Sequence, residues 1–261
     1  MRYEKLLWTV VLVGVVFPGY FAIGLHQDPL EAHRLDCWVD RSLPFVSPWM
    51  FAYGGVYTAL LLPIFVVRDS VLFRRTALAY MFTLVCSYAV FLVFPVTTKG
   101  FRPEVPTLDT RVFWQWGAAL NYTIDPPMNC FPSLHVGTMT LATLASWRAD
   151  RKVGYVGGVV AVVIALSTML VKQHYIADVL AGAGLAGVSY AIFIRGWTPG
   201  DKKELEVRMP RWCGVLYVGL YLLAIFGVLF PLYHFGVKPW EKSLRGGAPV
   251  SRDLAPVSSA R

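Results

Sequence analysis

The stretch from Val153 to Gly182, "VGYVGGVVAVVIALSTMLVKQHYIADVLAG", contains two apolar segments joined by a short polar turn. The run before the turn contains no charged side chain, and Lys172, His174 and Asp178 then follow within one short stretch. An apolar run of about 20 residues is long enough to cross the hydrocarbon core of a bilayer. The stretch therefore predicts two membrane-spanning helices whose junction carries ionisable groups.

The same apolar pattern recurs along the whole chain. Of its 261 residues, 56% are hydrophobic and only 15% are charged, whereas about a quarter of the residues of a soluble domain are charged. Apolar windows lie near 6–25, 49–67, 76–95, 133–147, 153–171, 179–196 and 212–235. We predict an all-α, polytopic integral membrane helical bundle with six core transmembrane helices and a seventh at 212–235.

The ends of the chain differ in character. The first apolar run follows "MRYEK" and lacks a small-residue cleavage site of the A-x-A type, so it is predicted to remain as the first helix. Residues 1–236 form the predicted membrane domain. Residues 237–261 are polar and rich in Gly, Pro and Ser, which predicts a disordered tail.

The basic residues indicate the orientation of the chain. The loops "RDSVLFRR" (68–75), "RADRK" (148–152) and 195–211 are rich in Lys and Arg, so the positive-inside rule places them and the N-terminus in the cytoplasm. The loops 27–48 and 96–131 and the turn at Lys172 then lie on the outer side. The net charge of +8 is explained by these loops, which argues against nucleic-acid binding. A seventh span would put the basic tail outside, so either this segment does not cross or the tail is translocated.

Two of the four cysteines, Cys37 and Cys130, fall in the predicted outer loops, where disulfides can persist. They are either bridged to each other or unpaired, and the sequence leaves both alternatives open.

His174 and Asp178 are four residues apart, which puts them on the same face of a helix. A carboxylate can fix the tautomer of an imidazole and leave its other nitrogen free to act as a nucleophile. The alternative is a polar helix cap beside an interfacial histidine. Further along, Gly182, Gly184 and Gly187 give this segment a small-residue face suited to close helix packing.

A second polar cluster begins the fourth span, where "NCFPSLHVGTM" contains Ser133 and His135. Ser133 is predicted to be an N-cap, and the free amides of the first turn form a site for an anion such as phosphate. His135 is placed to give a proton to a leaving oxygen or to take one from water.

Three basic residues complete the candidate site. Arg102 offers a planar fork for phosphate oxygens, and Lys99 and Lys172 offer point charges. For Lys99 the alternative is a side chain that extends to the lipid headgroups.

Three segments together resemble the type 2 phosphatidic-acid phosphatase superfamily, whose signatures read K-x6-R-P, P-S-G-H and S-R-x5-H-x3-D. They are "RP" at Arg102–Pro103, "PSLH" at Pro132–His135 and "STMLVKQHYIAD" at Ser167–Asp178. The resemblance covers about residues 40–195, and "DRSLPFVSPW" in the first outer loop is similar to a subset of members.

The resemblance implies a mechanism through a phosphohistidine that needs neither metal nor cofactor. His174 would attack phosphorus, Asp178 would orient it, and His135 would protonate the leaving group and activate the acceptor. Ser133, Arg102, Lys99 and Lys172 would hold the phosphate of a membrane lipid.

The chain departs from the signatures at three positions: Leu134 replaces a Gly, Thr168 replaces an Arg, and Pro95 stands at the Lys position. These departures make it similar to the branch that includes inositol phosphorylceramide synthases and related bacterial membrane proteins.

Three functions remain open. The first is hydrolysis of a lipid phosphate or diphosphate, phosphatidate-like or polyprenyl, at the outer membrane face. The second is transfer of a phospho-alcohol headgroup to a lipid acceptor. The third is lipid or anion transport without chemistry, since charged groups in spans also mark transport routes.

Overall fold

The structure is a computed structural model, and it describes residues 2–59, 61–198, 219 and 221–241. The helices in chain order are α1 (Arg2–Val10), α2 (Phe17–Leu25), α3 (Trp38–Ser42), α4 (Trp49–Gly54), α5 (Val56–Ala59), α6 (Leu62–Val66), α7 (Ser70–Val93), α8 (Phe113–Ile124), α9 (Leu134–Ala149), α10 (Arg151–Leu170), α11 (Ile176–Ser189) and α12 (Phe230–His234). π-helical turns cover Val11–Val16, Tyr190–Ile194 and Leu223–Leu229, and a 3-10 turn covers Val105–Thr107. Within these described ranges there is no β-strand, which confirms the all-helical class; one isolated bridge joins His33 to Val96.

Among the described residues, three helices are long and apolar enough to cross a membrane: Ser70–Val93, Arg151–Leu170 and Ile176–Ile194. The first two of these helices each begin after an aspartate cap. Asp69 caps α7 by accepting a hydrogen bond from the Leu72 amide at 2.7 Å, and Asp150 caps α10 through the amides of Lys152 and Val153. A carboxylate in this position satisfies amides that have no partner within the helix.

The other apolar windows take different forms. The first window is a run of α1, a π turn and α2. The second is divided among α4, α5 and α6, with a break after Gly54 and Pro63 in the first turn of α6. The fourth is α9, which has 16 residues. Of the seventh window, the described part contains one apolar helical stretch, Leu223–His234, while residues 212–218 and 220 lie outside the described residues.

Helix α9 lies at the centre of the bundle and packs against α10, α11, α7 and α6. Most of its side chains are buried, because helices cover it on several sides. The start of α9, which contains His135, therefore lies next to the start of α11.

The end of the described chain packs on α8. The indole of Trp116 donates a hydrogen bond to the carbonyl of Val237 at 2.8 Å, and Trp240 is buried in the same apolar cluster. Residues 237–241 of the predicted tail are therefore in contact with the bundle, and residues 242–261 lie outside the described residues.

Cys37 and Cys130 are both free thiols in the structure. Of the two alternatives that the sequence left open, the structure therefore has the unpaired one.

Candidate active site

His174 and Asp178 are in direct contact. The Nδ1 atom of His174 lies 3.3 Å from Oδ2 of Asp178, and both side chains are buried. The expectation that they share one helix face is wrong, because α11 begins only at Ile176. His174 lies in the turn before the helix, and the carboxylate of Asp178 points back to it while accepting the Tyr175 amide at 2.9 Å. Asp178 therefore holds both the turn and the imidazole.

The second histidine completes a chain of contacts. Nδ1 of His135 lies 3.3 Å from Nε2 of His174. Ser133 caps α9, as predicted, by accepting a hydrogen bond from the Val136 amide at 3.3 Å. On its other side the His135 ring packs on the Tyr53 ring, with centroids 4.6 Å apart. The order Asp178–His174–His135 is that of a nucleophile with an orienting carboxylate on one side and a proton carrier on the other.

Backbone contacts between α9 and α11 fix the spacing of the histidines. The Ser133 amide donates to the Asp178 carbonyl at 3.0 Å. A Cβ added to Gly182 would lie 2.3 Å from the Ser133 carbonyl oxygen, and a Cβ added to Gly137 would lie 3.2 Å from the Gly182 carbonyl oxygen. Of the predicted small-residue face, Gly182 makes this close contact, whereas an added Cβ at either of the next two glycines meets nothing within 4 Å.

Arg102 is linked through Gln173 to the turn that carries His174, and it is held by three acceptors. Its Nη1 donates to the Gln173 side chain at 2.8 Å and to the Asp125 carbonyl at 3.1 Å, and its Nη2 donates to the Tyr122 carbonyl at 3.1 Å. A guanidinium has five N–H donors, so these bonds leave capacity for a phosphate oxygen. Burial lowers the pKa of Arg102, and the nearby Asp125 carboxylate opposes that effect. Thr168 stands where the third signature has an arginine. Its hydroxyl donates a hydrogen bond to the carbonyl of Ala165 in the same helix.

The two candidate lysines, Lys172 and Lys99, make contacts with other groups. Nζ of Lys172 donates to the carbonyls of Asp40 at 2.7 Å and Leu43 at 2.6 Å and lies over the Phe101 ring. Burial lowers the pKa of Lys172, while Asp40 acts in the opposite direction. Lys99 is exposed and lines a separate open pocket. Phosphate binding by these two lysines stays a prediction.

Two buried carboxylates were missed by the sequence reasoning. Asp125 accepts hydrogen bonds from the hydroxyls of Tyr20 (2.9 Å) and Tyr53 (2.6 Å) and from the Gln173 amide (3.3 Å). Burial raises the pKa of Asp125, while the hydrogen bonds from Tyr53 and Tyr20 and the charge of Arg102 lower it. It stands alone in "TIDPP" without motif or periodicity, so no local signal marks it.

The second missed carboxylate is Asp40 in the first outer loop. Its side chain accepts hydrogen bonds from the amides of Ile176 and Cys37, both at 2.9 Å. Its backbone carbonyl is one of the two acceptors of Lys172. Asp40 is the first residue of "DRSLPFVSPW", the stretch that is similar to a subset of family members. That similarity could have drawn attention to Asp40, but it assigns the residue no role.

An apolar cavity reaches the site from within the bundle. It is lined by residues of α1, α2, α5, α6, α7 and α9, including Leu134 and His135, and has about 1020 Å³ of empty space counting its open side. Along α7 its lining runs from Phe73 to Tyr88, which corresponds to roughly 20 Å of helix.

Comparison with known proteins supports the resemblance. The family model described as "PAP2 superfamily" matches residues 25–192. A PA-phosphatase related-family protein of Dictyostelium discoideum is 26% identical over 204 residues, which cover 77% of this chain and 32% of the relative. The chain thus spans about a third of that relative's length. The matched region contains both histidines, Asp178 and Arg102. The chain belongs to the PAP2 superfamily.

Proposed function

We propose that this chain is an integral membrane enzyme that hydrolyses a lipid phosphate or diphosphate through a phosphohistidine on His174. Superfamily membership supports phosphatase-type activity. The observation that carries the proposal is the unbroken contact from Asp178 through His174 to His135.

The first half of the reaction forms the phosphoenzyme. An Nδ1–H of His174 directed at Asp178 leaves Nε2 unprotonated, and this atom can attack phosphorus once the bound phosphate displaces His135 from its 3.3 Å contact with Nε2. As the Nε2–P bond forms, the P–O bond to the lipid breaks, and His135 in its imidazolium form gives its Nδ1 proton to the leaving oxygen. The bound phosphate favours that protonated form, because an opposite charge nearby stabilises it. Asp178 stays ionised and stabilises the positive charge that develops on His174.

The second half returns the enzyme to its starting state. Neutral His135 takes a proton from water, the water oxygen attacks phosphorus, and the P–N bond breaks to release phosphate. Arg102 and the N-terminal amides of α9 behind Ser133 would stabilise the equatorial oxygens in both steps. No step uses a metal ion, so turnover should persist in a chelator.

The lipid nature of the substrate is supported by the cavity beside His135. Its apolar lining suits an acyl or prenyl chain whose phosphate would lie beside the two histidines. With six or seven crossing segments and the basic loops in the cytoplasm, this pocket would open on the periplasmic, extracellular or lumenal face.

A second candidate is transfer of a phospho-alcohol headgroup to a lipid acceptor. It is favoured by Thr168 in place of an arginine and by the burial of His174, Asp178 and His135, which limits access of water. In this case an alcohol, not water, attacks the phosphohistidine. A binder or transporter without chemistry is a lesser alternative, because it has no need of the histidine pair.

The test uses purified protein in mixed micelles with lipid phosphates, diphosphates and phosphodiesters, with and without a lipid alcohol, following free phosphate and lipid products together. We expect phosphate release that is lost in His174→Ala and kept in His26→Ala, whose histidine is exposed and outside the site. A headgroup-bearing lipid formed only with the alcohol would favour transfer. Full turnover in a folded His174→Ala protein, or movement of lipid without any product, would refute the enzyme proposed.

A further inference from the structure

The mechanism leaves one buried charge unused, the carboxylate of Asp125. It is 4% exposed and accepts three hydrogen bonds, from Tyr20, Tyr53 and Gln173. Three donors directed at two oxygens stabilise the ionised form. These hydrogen bonds and the charge of Arg102 oppose the effect of burial, which raises the pKa of Asp125.

Two contacts link this carboxylate to the candidate site. The hydroxyl of Tyr53 binds Asp125, while the ring of Tyr53 packs on His135. Gln173, next to His174 in the chain, donates to Asp125 and accepts from Arg102. Asp125 is therefore linked to both histidines through one residue each.

The pocket is poor in positive charge. Thr168 replaces the second arginine of the superfamily signature, Lys172 binds backbone carbonyls, and Lys99 is exposed outside the pocket. Arg102 is the cation that the described residues place there, and the Asp125 carboxylate offsets it.

We propose that Asp125 is a specificity-determining residue that makes the pocket select a phosphate group with one negative charge over a dianion. This inference rests on the proposed phosphohistidine enzyme. Of its two candidate reactions, a preference for the monoanion favours headgroup transfer, whose substrate is a phosphodiester. A phosphodiester fits, as does a monoester that keeps one proton, whereas a dianionic monoester or terminal diphosphate is disfavoured.

At an assumed separation of roughly 10 Å and an effective dielectric constant of about 20, the repulsion of one extra charge corresponds to about tenfold in binding. Removing the charge in Asp125→Asn should therefore improve dianion binding, relative to monoanion binding, by about tenfold.

The first experiment measures binding without turnover. The full chain in detergent is unfolded thermally at pH 8 with inorganic phosphate, mainly a dianion, or with dimethyl phosphate, a monoanion. Stabilisation at increasing concentration gives each dissociation constant. We expect the wild type to bind dimethyl phosphate more tightly. Asp125→Asn should shift the ratio of the two constants toward inorganic phosphate, and Glu104→Gln, which removes an exposed carboxylate of the same loop, should leave it unchanged.

Three results would overturn the proposal: tighter binding of inorganic phosphate by the wild type, an unchanged ratio in folded Asp125→Asn, or stabilisation that persists in Arg102→Ala. If Asp125→Asn does not fold, the relative dissociation constants of the wild type for dimethyl phosphate and inorganic phosphate still support or overturn the proposal.

The second experiment compares kcat/KM for a lipid phosphomonoester and a phosphodiester with a neutral headgroup and the same chains. The ratio should favour the diester and shift toward the monoester in Asp125→Asn. If neither lipid is turned over, the proposed function fails, and the binding experiment still supports or overturns the charge preference.

Discussion

Gly182→Ala tests whether a backbone contact sets the distance between the two histidines. The added Cβ would lie 2.3 Å from the Ser133 carbonyl oxygen, whereas ordinary contact begins at 3.4 Å. No rotamer change can relieve the clash, because the atom it meets belongs to the backbone. Helix α11 and the first turn of α9 must therefore separate by about 1 Å.

That displacement acts directly on the site. It stretches the 3.0 Å hydrogen bond from the Ser133 amide to the Asp178 carbonyl and the 3.3 Å contact between the histidines. A misplacement of about 1 Å can reduce a rate by about 100-fold, and overpacking typically costs about 1–3 kcal/mol in stability. We expect kcat/KM for phosphate release or headgroup transfer to fall by about 100-fold, with a lower thermal unfolding temperature in detergent.

The matched controls lie on the same helix. Alanine at Gly184 or Gly187 meets nothing within 4 Å and should leave both measurements near wild type. Gly182→Ala with kcat/KM within about threefold of those controls would show that the α9–α11 contact does not set the reacting distance.

Two further predictions concern charged side chains. Asp178→Asn should lower kcat by on the order of 10⁴-fold with little change in KM, because the His174 tautomer is no longer fixed; steady-state kinetics would remove Asp178 from the mechanism if kcat were unchanged. Lys172→Met should lower the free energy of unfolding by on the order of 2 kcal/mol, because two buried carbonyl contacts are lost, while Lys99→Met should not. Thermal unfolding measures the effect of each lysine substitution, and equal effects would contradict the different roles of these lysines.

The sequence predicted the contacts of those candidate residues that are close together along the chain. Ser133 and His135 begin a helix, and the spacing of His174 and Asp178 brings them together even though the helix starts later than expected. The contact forms because a carboxylate in the first turn of α11 can point back to residues that precede the helix. A residue one turn earlier within a helix would lie at a similar distance from it. The spacing alone does not distinguish these two geometries.

Asp125 and Asp40 could not be predicted in this way. Each gains its role from partners far along the chain: Tyr20 lies 105 residues from Asp125, and the Ile176 amide lies 136 residues from Asp40. Propensity and periodicity describe neighbours in sequence, and they contain no information about such pairs. Hydropathy similarly found the apolar windows, but it did not predict the break after Gly54 or the new helix start at Leu62, with Pro63 in its first turn, which divide one window into three short helices.

The distance in sequence between Asp40 and its partners has a consequence for how the protein is made. At about 5–20 residues per second, roughly 7–30 s separate the synthesis of Asp40 from that of Ile176. During that interval the first outer loop lacks the amide and the ammonium group that later bind it. The contacts of Asp40 with Ile176 and Lys172 can therefore form only after the turn that carries His174 has been synthesised.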